Sequence, residues 1–208
     1  PMIQTNRGCP FSCTFCVDGS KLVNKVNSFS NERVKQELHY IAKHVKPNMH
    51  SMHISDLNFG MYQKDLEICD YINEVQEEYN FPKYVKVTSG KNNKEKIIEA
   101  IQKLGKSTSM TMSVQSMDPQ VLSNIRRDNI SKQALIALGP ALKEQGLSSI
   151  SEVILGLPGE SYASTIQTLK DLIHADLDWI NIWTLMLLDG SELNTPKERK
   201  KWDLKSKF

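Results

Sequence analysis

The run Met2-Ile3-Gln4-Thr5-Asn6-Arg7-Gly8-Cys9-Pro10-Phe11-Ser12-Cys13-Thr14-Phe15-Cys16 decides how this chain is read. Its first half is strand-like. Its second half sets three cysteines in one loop at C-x3-C-x2-C spacing, with the aromatic Phe15 just before the last thiol. Three clustered thiolates, Cys9, Cys13 and Cys16, can hold three irons of a [4Fe–4S] cube and leave the fourth iron without a protein ligand. An open metal position is a reaction site. A purely structural cluster asks for a fourth cysteine nearby, and Cys69, the only other one, sits far along the chain in a helical segment.

Outward from that run, short β-branched stretches alternate with longer amphipathic ones, the pattern of βα units and a parallel sheet. Strands are expected at Met2–Arg7, Met49–Ser55, Tyr84–Ser89, Ser107–Val114, Ser149–Leu155 and Trp179–Leu185. Helices are expected at Glu32–His44, Lys64–Tyr79, Lys94–Leu104, Lys132–Gln145 and Tyr162–His174. In the first helix Val34, Leu38, Ile41 and Val45 predict one buried stripe. Asp118-Pro119 offers an N-cap before a proline, and Ser131 caps the next helix. Gly146 suits that helix's left-handed end, while Gly139-Pro140 predicts a kink or break inside it. Six such units fit a barrel-like parallel sheet with right-handed crossovers, short of the eight of a closed barrel. The cysteine loop follows the first strand, at the carboxyl end where α/β sheets place their sites.

Cys9, Cys13, Phe15 and Cys16 match the C-x3-C-x-aromatic-C signature, and the chain resembles the radical S-adenosylmethionine (radical SAM) enzymes. The resemblance implies an α/β fold, an incomplete (β/α)6 TIM-like barrel of parallel strands. It implies a core domain over residues 1–195, followed by a polar, basic tail over 196–208 leading to a following domain; the strand-like start at residue 2 and the lysine-rich end from Lys197 to Lys207 are those expected of a piece of a longer protein. The implied cofactors are a [4Fe–4S] cluster and S-adenosyl-L-methionine. In that family the open iron binds the cofactor's amino and carboxylate groups, and one electron cleaves the sulfonium to a 5′-deoxyadenosyl radical that abstracts hydrogen. The implied partners are a small-molecule or biosynthetic substrate and a one-electron donor such as a flavodoxin or ferredoxin.

The resemblance also assigns cofactor contacts at the strand ends. Asp56 and Asn58, in His53-Ile54-Ser55-Asp56-Leu57-Asn58-Phe59-Gly60, stand where relatives place a Gly-Gly-Glu-like acceptor for the amino group. An Asx turn with a helix cap is the competing reading of Asp56. Gln115, in Ser113-Val114-Gln115-Ser116, corresponds to a segment facing the ribose and the methionine carboxylate. Arg127 is the forked partner for that carboxylate, whereas Arg126 reads as a solvated helix-end residue. Ile154, before Gly156-Leu157-Pro158-Gly159, corresponds to the residue packed on the adenine, with ordinary core as its competing reading. The five histidines show no metal spacing.

Thr5–Cys13 together with Asp56-x-Asn58-Phe59 looks most like the cobalamin-associated branch, whose members often methylate unactivated carbons or phosphorus. That resemblance adds a cobalamin bound by a domain outside this chain, since no D-x-H-x-x-G sequence is present. Two alternatives stand beside it: a methylthiotransferase-type radical SAM enzyme, and a non-catalytic zinc or iron–sulfur domain. Zinc sites usually come as paired C-x2-C elements, which are absent here.

Composition narrows the partners. The 208 residues are 39% hydrophobic and 24% charged, with a net charge of +2. Such a balance gives no strong nucleic-acid signal. No apolar run approaches the ~20 residues of a membrane helix, and cysteine usage fits a reducing, cytoplasmic compartment.

Overall fold

A computed structural model describes residues 1–20 and 22–206. In chain order the elements begin with β1 (Met2–Ile3), β2 (Asn6–Arg7), β3 (Asn27–Ser28), α1 (Asn31–His44), β4 (Ser51–Ile54), α2 (Gln63–Tyr79), β5 (Tyr84–Lys86) and α3 (Lys94–Leu104). They continue with β6 (Ser109–Gln115), α4 (Pro119–Asn124), α5 (Lys132–Glu144), β7 (Ser148–Leu155), α6 (Tyr162–His174), β8 (Trp179–Thr184) and α7 (Pro196–Lys201). This is the element order of an incomplete (β/α)6 barrel. The chain forms two compact units: the first is Pro1–Arg7, Asn27–Met112 and Pro140–Ile150; the second is Gly8–Val26, Ser113–Gly139 and Ser151 onward.

In the first unit β1, β4 and β5 form a parallel sheet with Met2 opposite His53, Ile3 opposite Ile54, and Met52 opposite Val85. Alternation along β4 buries Met52 and Ile54 on one face of the strand. The helices supply Val34, Leu38, Ile68, Ile72, Ile97 and Ile101, all essentially without solvent exposure. On α1 the buried stripe is Val34, Leu38 and Ala42, with Ile41 and Val45 only half-buried.

The first expected strand divides in two. Met2 and Ile3 pair with β4, but Asn6 and Arg7 leave the sheet and pair antiparallel with Ser28 and Asn27 of β3. The cause is the backbone between them. The Thr5 and Asn6 N–H groups donate to the Asp56 carboxylate at 2.7 and 3.1 Å instead of to a neighbouring strand. The β2–β3 pair therefore closes the base of the loop that carries the cysteines.

The second unit contains that loop, α4, α6, α7 and β8, and a sheet runs in the order β6-β7-β8. Asp118 caps α4 by accepting from the Gln120 and Val121 N–H groups at 2.8 and 2.9 Å, and Ser131 accepts from Ala134 at 3.2 Å. α5 ends on Gly146 (φ +69°), with Gly146 N–H on Lys143 O and Leu147 N–H on Leu142 O, a Schellman motif. Pro140 lies inside α5, which runs unbroken from Lys132 to Glu144. Of the basic tail, Pro196–Lys201 is helical and capped by Thr195, while Lys207 lies outside the described residues.

Asp65 starts α2 and is fully buried. Its Oδ2 accepts from the Gly60 and Tyr62 N–H groups at 2.9 and 3.1 Å, while its Oδ1 has no partner. Burial outweighs these hydrogen bonds and pushes the carboxyl pKa up from 3.8 to about 6. The folded chain thus holds more protons than the unfolded one between those values, so this group makes stability fall as pH rises through the window. Asp65→Asn mimics the protonated acid and keeps an acceptor for both N–H groups. At neutral pH it should exceed the parent in stability, by up to ~3 kcal/mol, with the gain fading toward pH ~4. Urea unfolding at stepped pH checks this; an equal difference at both ends of the window eliminates Asp65 as the source.

Candidate iron–sulfur site

The cysteine loop is fixed by backbone contacts within the second unit. Cys9 N–H donates to Val23 O at 3.0 Å, Thr14 N–H to Ile125 O at 3.1 Å, and Leu193 N–H to Thr14 O at 2.9 Å. Cys16 N–H turns back to Cys13 O at 3.2 Å, and Gly19 N–H to Cys16 O at 3.2 Å. Two glycines make this path possible. Gly8 has φ +98°, and a Cβ there would lie 2.4 Å from Lys25 O. A Cβ on Gly19 would lie 2.2 Å from Cys13 O, so the loop can fold tightly over Cys13 only without a side chain there.

Cys13 is buried, while Cys9 and Cys16 are partly exposed. Burial pushes the Cys16 thiol up, a backbone hydrogen bond involving Asp18 lowers it, and the Asp18, Cys13 and Cys9 charges raise it further. The three sulfurs therefore sense one another electrostatically. Among the described residues no three His, Cys, Asp or Glu side chains are placed to share a single ion. A cube asks for something different, one thiolate for each of three irons. Cys69 is fully buried, donates to Ala100 O at 3.6 Å, and has its pKa pushed to about 12 by burial.

Arg127 is turned toward the thiols. It is 7% exposed, its Nε donates to Asn129 Oδ1 at 2.9 Å, and its guanidinium hydrogen-bonds the Cys13 side chain. Burial lowers its pKa, and the neighbouring Cys13, then Cys16 and Cys9, act to raise it. A guanidinium stays charged at any working pH, and a buried cation needs a counter-charge. Three thiolates with an anionic cluster provide one, so the residues present fit the group. Arg126, by contrast, is exposed and paired with Glu192, as a surface residue would be.

Gln115 ends β6 in a left-handed conformation, φ +65°, with Ser116 N–H closing a three-residue turn on Val114 O at 2.8 Å. A non-glycine residue there is strained. Its buried Oε1 has no hydrogen-bond partner. Phe15 and Ile154 meet on one small apolar cluster, packing with Leu122 and Leu185 against Val121, Ile125 and Leu157.

Asp56 and Asn58 belong to the first unit. Both are buried. The Asp56 carboxylate accepts four hydrogen bonds, from the Thr5 and Asn6 N–H groups, the Thr5 hydroxyl and Asn6 Nδ2, the last at 2.9 Å. Four donors fill the lone-pair sites of a carboxylate. In this structure the Asp56 carboxylate clasps the segment before the cysteines. Beside it, Lys64 Nζ donates to Thr5 O at 3.4 Å, and burial lowers its pKa. Lys64 and Asn129 went unnoticed in the sequence. Asn129, two positions after a basic pair, carried the only available signal.

The βα order and a thiol loop after the first strand define an α/β domain built to hold an iron–sulfur cluster. The sequence matches the Radical SAM superfamily over residues 3–172, and the chain belongs to that family. It is 31% identical over 208 residues to the "cobalamin-dependent radical SAM methyltransferase TokK" of Streptomyces tokunonensis, covering 98% of this chain and 30% of that protein. It is also 31% identical over 200 residues to the "2-(S-pantetheinyl)-carbapenam-3-carboxylate methyltransferase" of Streptantibioticus cattleyicolor, covering 94% of this chain and 29% of that one. The chain thus spans under a third of these relatives. Among solved structures it resembles the radical S-adenosylmethionine methyltransferase TsrM of Kitasatospora setae, with TM-score 0.76, 16% identity, 92% of this chain and 38% of that one covered. That likeness concerns the fold. Among the described residues no helix is long and apolar enough to cross a membrane.

Asp56→Ala removes the acceptor for four donors, two of them backbone N–H groups. It should cost on the order of 3 kcal/mol, which lowers Tm by roughly 6–12 °C in a chain of this size. Thermal unfolding checks this, and a Tm within a degree of the parent's excludes the clasp.

Proposed function

We propose that this chain is the cluster- and S-adenosylmethionine-binding core of a cobalamin-dependent radical SAM methyltransferase. The observation that carries the reading is the set of Cys9, Cys13 and Cys16 in one anchored loop, with the buried Arg127 guanidinium against them. The names of the relatives support methyl transfer as the outcome. A cluster held by Cys9, Cys13 and Cys16 would supply the one electron that cleaves the sulfonium of S-adenosylmethionine to methionine and a 5′-deoxyadenosyl radical, which would abstract hydrogen from the substrate. A cobalamin held outside these residues is the proposed methyl carrier, the substrate is a small biosynthetic intermediate, and a flavodoxin or ferredoxin is the electron donor.

The side chains divide the work. Cys9, Cys13 and Cys16 hold three irons. Gln115 offers its unpartnered Oε1 to a polar donor of the cofactor, such as a ribose hydroxyl. Phe15 and Ile154 present apolar surface for the adenine, and Asn58 offers an amide at the carboxyl end of β4. Asp56 holds the approach to Cys9 and contributes through position.

Anaerobic reconstitution should give about four irons per chain, and the reduced protein should convert S-adenosylmethionine to 5′-deoxyadenosine. Cys9→Ala, Cys13→Ala and Cys16→Ala should each abolish that conversion. One zinc and no iron in the reconstituted chain overturns the reading.

Gln115 separates binding from folding. Gln115→Gly relieves the left-handed strain, so it should be at least as stable as the parent. Losing the amide should weaken S-adenosylmethionine binding by about tenfold, the equivalent of a 1.4 kcal/mol hydrogen bond. Calorimetric titration beside thermal unfolding reads both, and unchanged affinity removes Gln115 from the cofactor site.

A further inference from the structure

We infer that Arg127, oriented by Asn129, makes a cluster on Cys9, Cys13 and Cys16 easier to reduce. The inference rests on the cluster reading above and concerns how the chain sets the cluster's potential.

Asn129 uses every polar group of its side chain on fixed partners. Its Nδ2 donates to Val114 O and Ser116 O, both at 2.8 Å, and its Oδ1 accepts Arg127 Nε at 2.9 Å. The backbone of Arg127 is tied as well, its N–H donating to Leu122 O at 2.9 Å. With Nε taken, the rest of the fork is left for Cys13. The loop is held to the same segment, because Thr14, next to Cys13, donates to Ile125 O, two residues before Arg127. Among the described ion pairs no carboxylate partners this guanidinium.

A cluster on three thiolates gains one negative charge when it takes an electron from its donor. A fixed, buried cation beside one ligand sulfur favours the more negative state, and a hydrogen bond to that sulfur withdraws charge in the same direction. Both effects raise the potential. The clasp through Asn129 also places the strained turn of Gln115 and the charge beside the cluster under one side chain.

The test is a redox titration followed by electron paramagnetic resonance on reconstituted wild type, R127K, R127Q and N129A, with iron counted in each. At a poise where the wild type is half reduced, R127Q should hold about tenfold less reduced relative to oxidised cluster, a fall of about 59 mV for a one-electron couple. R127K keeps the charge and should stay near the wild type. N129A keeps the charge but frees its direction, and should fall by less than R127Q. A wild-type potential in iron-replete R127Q overturns the inference and leaves the cluster reading standing. If R127Q takes up no iron, N129A decides, and an unmoved potential there overturns the inference. A wild type that takes up no iron overturns the cluster reading, and this inference with it.

Discussion

The carboxylate of Asp56 determines where the chain can go after its first two strand residues. By drawing the backbone of Thr5 and Asn6 onto itself, it ends their participation in the parallel sheet and releases Asn6 and Arg7 to pair with β3. A buried acid is costly unless its oxygens are filled, and here four donors fill them. The same four bonds that make Asp56 tolerable therefore define the entry to the thiol loop. Remove the acid and the Thr5 and Asn6 N–H groups lose their acceptor.

A second constraint acts inside the other unit. A guanidinium almost removed from water beside three thiols is a poor arrangement for a protein that never carries negative charge there. It is a good one for a protein whose thiols are deprotonated by metal. Arg127 and the cysteines thus justify each other's burial, and Asn129 gives the pair direction. Strain belongs to the same neighbourhood. Gln115 holds an unfavourable backbone conformation and a hydrogen-bond acceptor left without a donor, two departures from folding preference at one residue, as functional sites show.

Much of this was legible in the sequence because it is local. Helix bounds at Lys94–Leu104 and Tyr162–His174, the caps at Asp118 and Ser131 and the turn at Gly146 follow from residue type and spacing over a few positions. The thiol spacing was local too, and it carried the family. What escaped was set by contacts far apart in sequence. Nothing near Met2–Arg7 says that a carboxylate some fifty residues away will break the strand. Equally, Arg126 and Arg127 look alike in sequence, yet one pairs with Glu192 at the surface and the other turns inward to Asn129 and Cys13. Their difference comes from a backbone turn, with Arg126 at φ +52°, that neighbouring residue types did not announce.

Cys69 has a consequence of a practical kind. Its sulfur is shut in helix α2, bonded to a carbonyl, and stays a thiol at any pH a cell experiences. Thiolates are the species that attack disulfides and react with oxidants, so the thiol chemistry of the described residues is concentrated in residues 9–16. A loop cysteine freed of its iron therefore finds no disulfide partner in Cys69. A disulfide formed inside the loop is a short local crosslink that a small reductant erases.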